Sequence, residues 1–347
     1  MKKIFRYFLL FILTLIIISL IWGAFNFSLV KYGFNQLKGQ LNIVMNARPL
    51  NEVLQDETVS DSIKKKIYYI ERVKKFAIDS LGLNSSENYT TFYDQHNKPI
   101  LWVLTASELF KLKPYEWKFP FLGNVSYKGF FDYEKGKTEE ITLQKEGYDT
   151  DYGEVTAWST LGWFHDPILS SMTNRSDGQL AELIIHELTH ATLYIKSNVN
   201  FNENLATVCG EQGAIRFLQS AYGPESNELK DYLERKEDYN LFSRQMLKGT
   251  QMLDSLYLLM NDSSVLQNKS LKNSMIKTIV HSLDTISFHS PLRFKNIFKN
   301  KFPNNAYFLD FIRYDAQKDE MKKTLTGKFN GNIKDYIEFL KLRKDSI

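Results

Sequence analysis

The stretch Ile185-His186-Glu187-Leu188-Thr189-His190 reads H-E-x-x-H and constrains the fold more than any other segment of this 347-residue chain. On an α-helix, side chains four residues apart lie on one face about one turn from each other, so both imidazoles can offer a nitrogen to a single metal ion. Zinc suits such a pair, because imidazole and carboxylate are among its usual ligands and its geometry can leave one position open for water. Glu187 stands beside the ligand line, where a carboxylate can take a proton from a metal-bound water and later pass it to a leaving amine. A third protein ligand is needed. Glu203 opens the next predicted helix after a short polar turn over 196–202, with Asn202 as its N-cap. Thr207 and Gly210, on the same face, are small enough for the two helices to approach closely. Glu211 is the alternative ligand, but it lies about 12 Å farther along the axis. With 6 histidines in the chain, the motif is roughly a 1% event by chance. The competing reading is a buried helix whose histidines bond to backbone or carboxylates.

The N-terminus adds a second constraint. Residues 7–30 carry no charge and are dense in Leu, Ile and Phe, while Lys2, Lys3 and Arg6 precede them. About 20 apolar residues cross a bilayer, and the basic flank places the N-terminus in the cytoplasm. The expectation is a membrane anchor, or a signal segment, over 1–30. The folded part over 31–347 is then outside the cytoplasm, on the periplasmic or extracellular face, with the membrane as a partner. Cleavage is disfavoured by Trp22 beside the best small pair, Gly23-Ala24.

Past the anchor, 61–81 has the apolar spacing of an amphipathic helix, and 89–131 holds short aromatic and β-branched runs broken by prolines, the texture of strands. A short helix is expected over 138–146 and a strand over 155–158. The segments 180–195 and 203–220 read as helices, and beyond Gly223-Pro224 the chain reads helical, with breaks near Asn261-Asp262, Pro291, Pro303 and Gly327. The fold class is α+β, mostly helical, with a small sheet in 31–179 and the candidate metal site in the helical part over 180–347. With 44 basic against 40 acidic residues, net +4, there is no footprint for nucleic acid as a partner. The single cysteine, Cys209, forms no intramolecular disulfide and reads as a small buried residue.

Other residues invite weaker assignments. His165 can line a pocket or simply pack; Asp166 can orient a ligand histidine or cap the segment after Pro167. His281 and His289 read as surface or core residues. Tyr127, Tyr152 and Tyr314 are candidate donors to the oxyanion of a tetrahedral intermediate, and no spacing rule selects among them.

At several of these segments the chain resembles a bacterial family of putative zinc aminopeptidases, usually exported, within the H-E-x-x-H peptidases that use a glutamate as third ligand. The resemblance is carried by Trp117-Lys118-Phe119-Pro120, Tyr127-Lys128-Gly129-Phe130-Phe131-Asp132, Trp158-Ser159-Thr160-Leu161-Gly162-Trp163-Phe164, the 186–190 motif, Phe201-Asn202-Glu203 and Asn304-Asn305-Ala306. It implies a zincin-like, gluzincin-like peptidase domain with Zn2+ on His186, His190 and Glu203, Glu187 as catalytic base, and a peptide or protein as substrate. It also implies cysteines where this chain has Lys118 and Asn124, so a hairpin cross-linked in relatives is held here by packing. No motif for a substrate's free amine is visible. An envelope endopeptidase and a non-catalytic metal-binding scaffold are the alternatives to an aminopeptidase.

Overall fold

A computed structural model describes residues 2–120, 123–155, 165–196, 198–260, 264–294, 296–299, 301–313 and 318–344. It falls into two compact units, Met1–Ala47 and Arg48–Ile347.

The first unit is helical, with α1 (Lys2–Phe25) and α2 (Phe27–Asn46). The uncharged run over 7–30 is therefore divided. Asn26 leaves the helical conformation at φ −116°, ψ 33°, and its side-chain amide donates to the Trp22 carbonyl at 2.9 Å. The run's last residues open α2, which carries Lys31, Lys38 and several amides. Among the described residues no helix is long and apolar enough to cross a membrane. This corrects the expected anchor, and with it the placement outside the cytoplasm, which rested on that anchor.

The second unit begins with β1 (Arg48–Pro49), α3 (Leu50–Gln55) and α4 (Asp61–Leu81). α4 has the bounds its spacing predicts: the Ser60 hydroxyl accepts from the Ile63 N–H, and Gly82 ends the helix at φ +68°, a left-handed turn that glycine enters without strain. Its buried face of Ile67, Ile70, Val73, Ala77 and Leu81 enters the main core. Then follow β2 (Thr91–Tyr93), β3 (Trp102–Glu108), β4 (Trp117–Phe119), β5 (Gly123–Val125), β6 (Tyr127–Phe130), α5 (Tyr133–Lys145), β7 (Tyr148–Glu154) and β8 (Ile168–Leu169). Three small sheets result, ordered β1-β2-β8, β6-β3-β7 and β4-β5. In the last, Lys118 stands directly opposite Asn124, the two positions where the family resemblance implies cysteines. More than packing holds that hairpin: Asn124 donates across it to Glu116 at 2.8 Å, and Trp117 ties it to Glu139 through its indole N–H at 2.6 Å.

α5 starts earlier than 138 because Asp132 caps it, accepting from the N–H groups of Glu134 and Lys135. The strand expected over 155–158 lies, past Val155, outside the described residues. β7 ends just before that segment, pairing antiparallel with β3 over Trp102–Glu108.

The helical remainder is α6 (Asp177–Thr192), α7 (Val199–Tyr222), α8 (Asn227–Leu259), α9 (Val265–Ser282), the short α10 (Pro291–Phe294), α11 (Asn305–Arg313), α12 (Lys318–Lys328) and α13 (Ile333–Lys341). Two expected breaks move. Pro291 opens a helical turn, since its missing N–H costs nothing there, and the stop near Gly327 falls at Asn330-Gly331, where φ is +51° and +74°.

Asn305 joins the sheet to this helical part. Fully buried, it accepts from the Tyr257 hydroxyl at 2.7 Å, donates its side-chain N–H to the carbonyls of Glu108 (2.9 Å) and Leu109 (3.2 Å), and donates its backbone N–H to Asp149 at 2.9 Å. Buried Lys272 completes the knot, pairing with Asp149 and donating to the Leu109 carbonyl. Asn305→Ala takes the side-chain partner from a buried hydroxyl and from the Glu108 carbonyl, and is expected to cost about 3 kcal/mol. Urea denaturation reads this as a lower midpoint; an unchanged midpoint would show that water satisfies these groups.

Candidate metal centre

Ser176 starts α6 with a capping box: its hydroxyl accepts from the Gln179 N–H, and the Gln179 side chain accepts from the Ser176 N–H. Leu180, Ile184, Ile185 and Leu188 bury one side of the helix in the core, which leaves His186 and His190 facing α7. α7 begins four residues before the expected start, at Val199. Asn198 is its N-cap, accepting from the Phe201 N–H at 3.2 Å. Asn202 has a different task from the capping expected of it. Its side-chain oxygen accepts from the Ile195 N–H and its amide donates to the Ile195 carbonyl, both at 2.8 Å, so one side chain closes the turn. Gly210 lets the helices meet; a Cβ there would stand 3.0 Å from the Glu182 carbonyl oxygen and 3.3 Å from the His186 Cβ.

Glu203, in the second turn of α7, thus reaches the histidine pair. The two Nε2 atoms are 3.1 Å apart; Glu203 Oε2 is 3.5 Å from His186 Nε2, and Oε1 is 3.5 Å from His190 Nε2. Ligands about 2.0–2.1 Å from a tetrahedral zinc are separated by about 3.4 Å. The three side chains have that spacing, and their ligand atoms all lie within 4.8 Å of one another, a group that can hold a metal ion.

The charges reinforce one another. Burial alone would raise the Glu203 carboxyl, yet hydrogen bonds to His186 and His190 hold it well below its ordinary value. For His186 burial works against the imidazolium, while the Glu203 hydrogen bond and the charges of Glu187 and Glu203 outweigh it and raise the group. Glu187, one residue from the ligand line, is raised by burial despite the two histidines, with Asp166 adding to the effect.

Glu211 is not at this centre. It is 5% exposed and ion-paired to Lys236 at 2.7 Å and Lys318 at 2.8 Å, while Lys236 also reaches Glu182 at 2.9 Å. The Tyr232 hydroxyl donates to Glu182 at 2.9 Å, so this network ties α6, α7, α8 and α12 together. Burial would raise the Glu211 carboxyl, but the two lysines bring it below its ordinary value. A depressed folded-state pKa stabilises above the unfolded value, about 4.3, and that stability is lost as pH falls through the folded value. Glu211→Gln is therefore expected to cost about 3 kcal/mol at pH 7, and the gap to the parent should shrink below about pH 4. Denaturant titrations at the two pH values check this; a pH-independent gap would refute the ion-pair account.

The remaining sequence candidates disperse. His165, His281 and His289 are exposed, and His289 bonds to Glu237 at 2.9 Å. Tyr127 is exposed on β6, the Tyr152 hydroxyl donates to the Tyr133 carbonyl, and Tyr314 lies outside the described residues, as does 158–164. Asp166 is buried, and none of the described hydrogen bonds joins it to a ligand histidine. Sequence reasoning missed Tyr89, a buried tyrosine on whose phenol the charges of Glu187 and Asp166 both act. The only local hint was the Asn88-Tyr89 pair ahead of a β-branched run. Cys209 is fully buried as expected, its thiol pushed up to about 12 by burial.

Residues 31–345 match the family described as putative aminopeptidases. The chain belongs to that family. No curated protein and no solved structure matches it. Membership in this aminopeptidase family supports a peptidase, and the match spans the metal-capable group as well as the sheets and helices that position it.

Proposed function

We propose that this chain is a zinc-dependent peptidase that removes N-terminal residues from peptides. The spacing of His186, His190 and Glu203, that of a tetrahedral zinc site with one position left over, carries the reading. Nε2 of each histidine and the carboxylate of Glu203 would bind the ion. When bound, zinc polarises the scissile carbonyl and makes a water nucleophilic near neutral pH. Glu187 then does the proton work: its carboxylate accepts a proton from the attacking water and delivers it to the departing amine nitrogen. Its place one residue from His186 on α6 puts its carboxylate beside the ligand pair, where both steps would occur. The complete base beside the ligand pair favours catalysis over a structural metal site, which has no use for it.

Zinc content and peptide hydrolysis of the purified chain test this, beside its Glu187 and Glu203 variants. About one zinc per chain and chelator-sensitive hydrolysis are expected. Full zinc occupancy with no turnover on any peptide pool would sink it.

A further inference from the structure

The second half of α6 sorts its side chains by depth. Leu188 and Thr189 are buried, His186, Glu187 and His190 are half-buried, and Ala191 is exposed. Beyond Thr192 the chain leaves the helix, with Leu193 extended at φ −144° and ψ 116°. Side chains of an extended segment alternate between two sides. Leu193 and Ile195 accordingly enter the main core, and Tyr194 between them is turned out, 43% exposed. Both neighbours are held. The Leu193 N–H donates to the Thr189 carbonyl at 2.9 Å, and Asn202 engages both backbone groups of Ile195. The backbone under Tyr194 is therefore already ordered, so a group packing on its ring has little but side chains to immobilise.

That ring stands against the metal-capable group. His186, His190 and Tyr194 form a row whose ring centres are 4.8 Å and then 6.3 Å apart, and the Tyr194 ring meets the His190 imidazole at 64°, an edge contact. Val199 borders the third member of the group. As the first residue of α7 it lies one turn ahead of Glu203 on the same face, and it is 60% exposed. Two large apolar side chains, one beside His190 and one beside Glu203, thus reach solvent at the turn that joins the helices. Glu203 itself and both histidines keep part of their side-chain surface in solvent there.

We propose that Tyr194, flanked by Val199, is the specificity-determining wall of the substrate site, and that it receives a bulky apolar side chain of the peptide residue bound at His186, His190 and Glu203. This rests on the zinc-peptidase reading and names its class of substrate. An extended peptide advances about 3.3 Å per residue, so a ring 6.3 Å from that of His190 is within reach of the side chain on a residue held there. Neither wall residue carries a charge to offer an acidic or basic side chain. A leucine-like side chain instead covers apolar surface that Tyr194 and Val199 leave in water, and an aromatic one can repeat the edge contact that His190 makes.

The experiment is calorimetric binding of leucine hydroxamate and glycine hydroxamate to the zinc-loaded full chain and its Tyr194→Ala, Tyr194→Phe and Val199→Ser variants, with zinc content measured beside each. The parent is expected to prefer leucine hydroxamate by about 5- to 20-fold, the worth of partly burying one leucine side chain. Tyr194→Ala should bring that preference down to about 2-fold, with zinc content and glycine hydroxamate affinity as in the parent. Tyr194→Phe keeps the ring and should keep the preference. Val199→Ser should cut it by about 2- to 3-fold, which carries the test if Tyr194→Ala misfolds. A parent without preference, or a preference intact in both Tyr194→Ala and Val199→Ser, overturns the wall. So does loss of zinc in folded Tyr194→Ala, which would make the ring a prop for His190. If neither hydroxamate binds the zinc-loaded parent, the zinc-peptidase reading itself fails, an outcome distinct from loss of selectivity alone.

Discussion

Glu187→Gln is expected to retain zinc and lose about 10²- to 10⁴-fold in kcat, the usual contribution of a positioned general base. Glutamine keeps the shape of the side chain, so it removes little except the capacity to take a proton. Because the residue is not among the three ligand side chains, zinc content by atomic absorption should match the parent. KM should move little, since the lost interaction belongs to the transition state and not to ground-state binding. A kcat within a few-fold of the parent, with zinc in place, would remove Glu187 from the reaction.

The opposite signature is expected for His190→Ala and Glu203→Ala. Each deletes one of three protein ligands, and mutating even an outer partner of a ligand weakens metal binding by about 10- to 100-fold. Both variants should bind zinc more than about 100-fold more weakly and lose hydrolysis together with the metal. Excess zinc should restore activity only in proportion to occupancy. For Glu203→Ala there is a second effect: the imidazoles lose the carboxylate that raises His186, so the empty site should become less basic. Zinc affinity equal to the parent in Glu203→Ala would move the third ligand elsewhere. Glu211 is an unsuitable replacement, held by Lys236 and Lys318.

What the sequence made legible was whatever local periodicity and capping decide. The bounds of α4 follow from its apolar spacing, Ser60 and Gly82. The proximity of His186, His190 and Glu203 follows from a four-residue spacing and a short return to the next helix. Less visible was anything fixed at a distance. β7 reads Tyr148-Asp149-Thr150-Asp151-Tyr152, too polar for a strand by pattern, but Asp149 meets Lys272 and Asp151 meets Lys301, partners more than a hundred residues away. The apolar run over 7–30 looked continuous because composition does not register a turn, and Asn26 supplies one. The start of α7 was misplaced because two asparagines, 198 and 202, are equally good caps on paper, and the Ile195 backbone claims the second. Tyr89 was invisible for a related reason: the partner of its N–H is the Asp166 carbonyl, far along the chain.

That Asn202 amide has a consequence for how the ion arrives. By closing the turn between α6 and α7 on itself, it sets the reach of Glu203 toward the histidines through the protein's own hydrogen bonds. On the proposed reading, metal uptake would then have little to order among the described residues of this turn, unlike the small domains that fold around zinc. It should proceed as docking into a finished socket, with little change in heat capacity and a nearly unaltered circular dichroism spectrum.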